Sequence, residues 1–405
     1  MKRLCAAVCV AGLVVAAAII SPGLAAAKRP VSVPPSLSPG GPLVSVTPPS
    51  GELRSFTAAT TYRSRNWSGY MASSASFGLS SDEQSRQASG TVSDVKGSWV
   101  VPTVTASSFD GFSSTWVGID GASDHTVEQL GTGCDWYQGT SYYYAWWEMF
   151  PAGETEIETM TINPGDTMSA EVRWVSGNTF QLTITDTSAS DSTTQTFQTT
   201  QPLAGAATAQ RSSAEWIHEA PSASLGLLPL ALTSPVTFTD CAATIGPAST
   251  PGTSGPIGGA GWYNAVIKLV STTVPSVDLA LPSSLLNGST AFTVQRSATK
   301  YPGTVGISAA PTSVKLPKPF VLQGRLFPGM SSDPCVVYVK KPGSARWSYS
   351  SNRLAYWPSY SDVGYADWWY RYTPKAKGTY QFYVRYAGDS GRLAATSKTI
   401  SVSVK

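Results

Sequence analysis

The chain is 405 residues long, enough for two or three domains that each bury a core. Only 13% of its residues are charged, while glycine, serine, threonine, tryptophan and tyrosine are plentiful, a balance that speaks against helical bundles and for β structure rich in turns. With two histidines, His125 and His218, and no cysteine cluster, the sequence offers no ligand pair at metal-binding spacing, so neither a metal site nor a cofactor is expected.

In chain order, Lys2 and Arg3 precede an uncharged run from residue 4 to residue 20, then Pro22 and the small residues Ala25, Ala26 and Ala27. This pattern predicts a signal peptide over 1–27 and a secreted, extracellular protein without a membrane anchor, because the apolar run is followed at once by a cleavage pattern. Cys5 and Cys9 would leave with it, so Cys134, Cys241 and Cys335 remain. A Cys134–Cys241 disulfide and a pair of buried thiols stand as equal alternatives. Residues 28–65, rich in proline, serine and glycine, cannot bury enough apolar surface to offset their ordering entropy and read as a disordered leader or short pro-segment.

From 66 to 298 short strands alternate with turns. Phe180, Leu182 and Ile184 share one face by period two, and the 170–175 run meets them through Ser176, Gly177 and Asn178, which predicts a hairpin. Similar runs at 97–101, 142–150, 236–240 and 262–270 imply an all-β fold, an antiparallel two-sheet sandwich or barrel. After a linker at 299–312, residues 313–405 end in two alternating strands, 380–386 and 399–404, around a turn at 388–391, which resemble the closing strands of a smaller immunoglobulin-like sandwich.

Charge separates the two domains. Residues 66–298 hold 6 Lys+Arg against 20 Asp+Glu, whereas 313–405 hold 14 against 4. In acid the first domain loses its negative charge and gains few cations, which is compatible with work at low pH. The basic second domain, with Trp347, Trp357, Trp368 and Trp369, is suited to an anionic cell-wall polymer or glycan, against the plainer reading of a folded spacer whose rings are core. Its removal is expected to leave the chemistry of the first domain on a small substrate unchanged.

The chemistry concentrates in Ser213-Ala214-Glu215-Trp216-Ile217-His218-Glu219-Ala220-Pro221. A carboxylate set among aromatic and branched residues can be raised toward neutrality and so both take and return a proton, which makes Glu219 a candidate general base. There is no G-x-S-x-G and nothing that singles out a serine triad. Trp116-Val117-Gly118-Ile119-Asp120-Gly121, then Gln129-Leu130-Gly131, Ala145-Trp146-Trp147-Glu148-Met149-Phe150-Pro151 and Ala214-Glu215-Trp216-Ile217-His218-Glu219 occur in that order, after Asn66-Trp67-Ser68-Gly69. Together they resemble the ordered motifs of the eqolisins, the glutamic peptidase family, over about residues 66–298.

The resemblance implies a two-sheet sandwich, peptide or protein substrates, no nucleic acid, and a catalytic pair consisting of Gln129 and Glu219, with Glu215 the nearer competitor of Glu219. Glu219 would activate water and then protonate the departing nitrogen, while the Gln129 amide would hold the oxyanion. Trp67, Trp116, Asp120, Trp146 and Glu148 fall in matched motifs and are assigned to substrate binding or support. Tyr144, Trp146 and Glu148 share one strand face, whereas Asp120 serves a Gly-Ile-Asp-Gly turn equally well. His218, out of phase with Glu219, is expected to point away from the site, although a cation there would lower the Glu219 pKa and shift the working pH. A monomer is expected. The alternatives are a secreted glycan-binding or glycan-cleaving sandwich, with Glu148 and Glu219 as its carboxylate pair, and a non-catalytic adhesin on the same fold.

Overall fold

The computed structural model describes residues 60–74, 91–188, 194–223, 226–246, 252–259, 262–273, 276–297, 299–356 and 364–405. Residues 1–27, where a signal peptide is expected, and Trp357 lie outside them. Among the described residues the regular structure is strand, apart from one short 3-10 turn at Asn287–Ser289, and no helix is long and apolar enough to cross a membrane. This is the all-β fold that the turn-rich, weakly charged sequence predicts.

The first unit is one continuously hydrogen-bonded sheet that folds over itself into two layers. One layer centres on Val92–Val100, flanked by Thr167–Ser176 and Val236–Ile245. The other runs through Tyr263–Val270, Trp67–Ser73, Ala214–Glu219, Ser114–Ile119, Val127–Tyr137 and Thr140–Phe150. Val95 and Trp99 of the first layer share a core with Val117, Leu130 and Trp216 of the second. Two indoles cross between the layers: Trp216 Nε1 donates to the Lys96 carbonyl (2.8 Å) and Trp99 Nε1 to Thr132 Oγ1 (2.9 Å). Each satisfies its one donor in a setting that would otherwise strand it.

The predicted hairpin is present as Thr167–Ser176 paired with Thr179–Asp186, and Phe180, Leu182 and Ile184 are wholly buried on its inner face. The leader reading ends too late. Thr60–Ser64 is a strand paired in parallel with Tyr263–Val270, because Tyr62 on it joins an apolar cluster with Ile267 and Trp67. Cys134 and Cys241 are both free and buried, so the thiol alternative holds. Burial pushes the Cys134 thiol up to about 12, which leaves it protonated and unreactive.

The second unit has two sheets of its own. Phe320–Phe327 pairs with Ala366–Tyr372, and Pro334–Lys340, Gly378–Tyr386 and Ile400–Val404 make the other. Phe320, Leu322, Val337, Trp368, Phe382 and Val402 form its core. Two departures from the sequence reading follow. The 299–312 stretch supplies the strands Thr304–Val305 and Ser308–Ala310 instead of acting as a bare linker. Trp368 points inward and is buried, while Trp347 and Trp369 are exposed.

Candidate active site

Period-two alternation decides which side chains meet. On the Ala214–Glu219 strand, Trp216 faces the inter-layer core, so Glu215, Ile217 and Glu219 face the other way. Cross-strand register carries that face along. Glu219 lies opposite Trp67 on one side and Ser114 on the other; Trp116 lies opposite Gly131; and Gly118, Gln129 and Glu148 form one row. Trp67, Trp116, Tyr144, Trp146 and Ile217 make a second, smaller apolar cluster on this face. Gln129, Glu148 and Glu219 are fully buried on the same face.

Glu219 is held at both oxygens. Trp116 Nε1 donates to its Oε2 at 2.8 Å and Asn66 Nδ2 to its Oε1 at 3.3 Å. Asn66 is itself oriented, since Ser64 Oγ donates to its Oδ1 (2.7 Å) and so leaves the carboxamide nitrogen turned to the carboxylate. Ser64 Oγ also accepts from the amides of Asn66 and Trp67, which closes the turn between the first two strands. Trp67 meets Trp116 edge to face, with ring centroids 5.0 Å apart. An aromatic pair in this arrangement fixes the indole that contacts Glu219.

Gln129 is held by its neighbour in the row, donating from Nε2 to Glu148 Oε2 at 2.7 Å. Trp116 lies between the two polar groups. Its Nε1 edge is on Glu219, while a Cβ at Gly118 would sit 2.9 Å from its Cζ3 and 3.1 Å from Gln129 Cβ. Glycine at 118 therefore lets the indole lie along the strand from the glutamate to the foot of the glutamine. Gly133 does a similar service, because a Cβ there would overlap the Tyr144 ring. No group of three or more His, Cys, Asp or Glu side chains among the described residues has the arrangement to hold a metal ion.

His218 points to the opposite face, as its phase requires, with Thr115 Oγ1 3.0 Å from its Nδ1. Burial lowers its pKa to about 4, so over most of the pH range it brings no cation near Glu219. Asp120 is not part of the Gln129–Glu148 row. At φ 72° its carboxylate accepts from the amides of Arg211 (2.8 Å) and Ser212 (2.6 Å), so its work is to hold that turn. Beside it, Asp124, Glu128 and Glu215 complete a buried acidic cluster, and burial with mutual repulsion raises Asp120 to about 8 and Glu128 and Glu215 well above the carboxylate range. Glu215 thus belongs to the proton-holding end of the sheet.

Sequence reading assigned Gln129, Glu148, Glu219, Trp67, Trp116 and Trp146 to one site, and the structure brings them together on this face. It missed Asn66 as a partner of the glutamate and Ser64 as the group that orients Asn66. The Asn66-Trp67-Ser68-Gly69 motif was the available signal.

The motif order and this geometry agree with a comparison against known families, in which residues 66–279, more than half of the chain, match the peptidase A4 family. The chain belongs to the peptidase A4 family. Among curated relatives of the family, Aspergillopepsin-2 of Aspergillus niger is 31% identical over 134 residues, a match that takes in 33% of this chain and 46% of that protein. Among solved structures, scytalido-glutamic peptidase with a transition state analog inhibitor aligns over 57% of this chain and 98% of its own, at 21% identity and a TM-score of 0.43. Aspergilloglutamic peptidase from Aspergillus niger aligns over 46% of this chain and 99% of its own, at 24% identity and a TM-score of 0.38. The family match ends before the second unit begins.

Proposed function

We propose that this protein is a secreted endopeptidase in which Glu219 is general base and then general acid, and Gln129 stabilises the oxyanion. The observation that carries the reading is the shared sheet face, with Glu219 fixed by Trp116 at 2.8 Å and Gln129 by Glu148 at 2.7 Å. Two N–H groups directed at Glu219 leave its oxygens as acceptors, which is the role a base needs. A water between Glu219 and a substrate carbonyl gives its proton to the carboxylate as its oxygen bonds to carbon. The Gln129 nitrogen carries two hydrogens, so the atom that Glu148 orients also serves the oxygen on which charge develops. When the tetrahedral intermediate collapses, Glu219 returns the proton to the departing nitrogen and the C–N bond breaks. The sum is peptide plus water to acid plus amine, with no covalent enzyme intermediate.

Work in acid is supported by the acidic composition of residues 66–298 and by the proton-holding cluster around Asp120. The test is cleavage of an unfolded protein substrate across the acid range. Activity is expected to persist in chelators and in serine and thiol reagents, and loss in a chelator with recovery on adding zinc would overturn the reading.

The C-terminal unit we read as immunoglobulin-like and as having a face for an anionic polymer. Its described aspartates are engaged internally, Asp333 and Asp389 by Arg392 and Asp367 by Arg325, so they leave its other described lysines and arginines to face outward charge partners. Trp347 and Trp369 are exposed beside that charge. Binding of the whole protein to anionic cell-wall material is expected at low salt and release at high salt, because exposed charges are screened beyond roughly 10 Å at 0.1 M. Retention that ignores salt would count against it.

A further inference from the structure

Two segments of the catalytic unit that touch the C-terminal unit, among the described residues, are attached to the strands that hold Glu219 and Trp116. The first segment leaves the Glu219 strand. Ala220 donates its amide to the Asn66 carbonyl (2.8 Å), and Leu228 returns to the Pro221 carbonyl (2.8 Å), closing a small hairpin in which Ser222–Ala223 pairs with Gly226–Leu227. Tyr365 of the C-terminal unit donates its hydroxyl to the Leu227 carbonyl at 2.7 Å. Gly364 lies so close that a Cβ there would be 2.7 Å from Pro229 Cδ.

The second segment enters the Trp116 strand. Phe112 donates its amide to Pro229 O (2.8 Å) and accepts from Ala231 (3.0 Å), two residues ahead of Ser114, which faces Glu219. Upstream of it, Ser108 Oγ donates to Asp389 Oδ1 of the C-terminal unit at 2.7 Å. Arg392, almost wholly buried, anchors the Asp389 loop through Asp389 and Asp333. The two contacts are joined by a line of rings, Phe109 to Tyr301 (5.5 Å), Tyr301 to Phe327 (6.0 Å) and Phe327 to Tyr365 (4.7 Å). This line begins in the catalytic unit and ends in the C-terminal one.

We infer that the C-terminal unit is a built-in brace of the catalytic site, with Tyr365 and Ser108–Asp389 as the clamps that hold both segments flanking Glu219. Tyr365 is a positioning residue. It touches no reacting atom, and it fixes the hairpin that begins two residues beyond the base. A small displacement of a base relative to its substrate costs rate more than binding, so the brace acts on kcat. This inference rests on Glu219 being the base, and it reverses the expectation that the C-terminal unit is dispensable for small-peptide hydrolysis.

The experiment uses the full-length protein and two readouts. Tyr365→Phe keeps the ring that packs on Phe327 and removes only the hydroxyl, and Ser108→Ala removes the other clamp. Each is expected to lower kcat on a short peptide about fivefold, the rate equivalent of one net hydrogen bond, with KM and the melting temperature near wild type. Amide exchange at Leu228 and Phe112 is expected to speed up in the variants, while Tyr349→Ser, on the exposed face of the same unit, changes neither readout. Unchanged kcat and unchanged exchange in a folded Tyr365→Phe protein, with Ser108→Ala likewise silent, would overturn the brace. Faster exchange with cleavage that does not depend on Glu219 would instead keep the brace and remove the catalytic reading.

Discussion

Trp116 donates its only polar hydrogen to Glu219 at 2.8 Å, across adjacent strands and 103 positions apart in sequence. The indole also lies between Glu219 and the foot of Gln129, so in the proposed mechanism one side chain bears on both the orientation of the base and its place relative to the oxyanion donor. Trp116→Phe keeps most of the ring and loses the donor. A hydrogen bond to a charged group contributes about 1.5–3 kcal/mol, so kcat/KM is expected to fall about tenfold to a hundredfold, with the fold retained by circular dichroism. A variant as active as wild type would mean that the bond does not orient the base.

For Gln129→Ala the expected loss is about 10²–10³ in kcat, the usual cost of one oxyanion donor, with little change in KM. Steady-state kinetics on a short peptide measures both. Glu148→Ala should give a smaller loss of the same kind, since it removes only the partner that orients the amide.

Stability should have a pronounced pH dependence of unusual sign. Asp120 is held at about 8 and Asp110 at about 6, with burial the first cause of each, while Glu128 and Glu215 are also raised. Unfolded carboxylates titrate near 4, so above that pH the native state keeps protons that the unfolded chain has released. The contributions of Asp110 and Asp120 are therefore fully present below about 4 and are lost as pH rises through about 6 and about 8 respectively, at about 1.4 kcal/mol per pH unit for each proton so held, and Glu128 and Glu215 act in the same direction. Two groups work the other way. His218, lowered to about 4 by burial, loses its contribution as pH falls from about 6.5 to about 4. Asp389 also pulls in that direction: burial opposes its charge, but Arg392, Ser108 and Tyr386 more than compensate and hold it below the carboxylate range. Its contribution is lost below about 4. Thermal melts across pH are expected to peak near the lower end of this window and to fall on the neutral side. A protein that melts highest at neutral pH would contradict the assignment.

Much of this was legible because a strand has period two. The phase of Glu219 against Trp216 and His218 fixed which side chains face the site, and Tyr144, Trp146 and Glu148 follow the same rule. The Phe180, Leu182, Ile184 hairpin was legible for the same reason. Ser64 was not, because a serine at the end of a proline-rich, basic stretch carries no periodic signal, and although Asn66 lies in a matched motif, its bond to Glu219 depends on a fold that brings the two together across 153 positions. Trp368 and Trp369, adjacent on one strand, must face opposite ways, so neither the reading of surface rings nor that of core rings fits both: the structure buries the first and exposes the second. Asp120 was legible as a turn residue but not as one member of an acid cluster, since Glu128 and Glu215 meet it only through the register of the neighbouring strands.

The most direct measurement is kcat for Glu219→Gln, which keeps the side chain's size and removes its capacity to take a proton. Turnover of a short peptide is expected to drop about 10²–10⁴-fold, the contribution of a positioned general base and acid, while the circular dichroism spectrum stays that of the wild type. Turnover within about twofold of wild type in a folded variant would contradict the account, since no proton transfer through Glu219 would then limit the reaction.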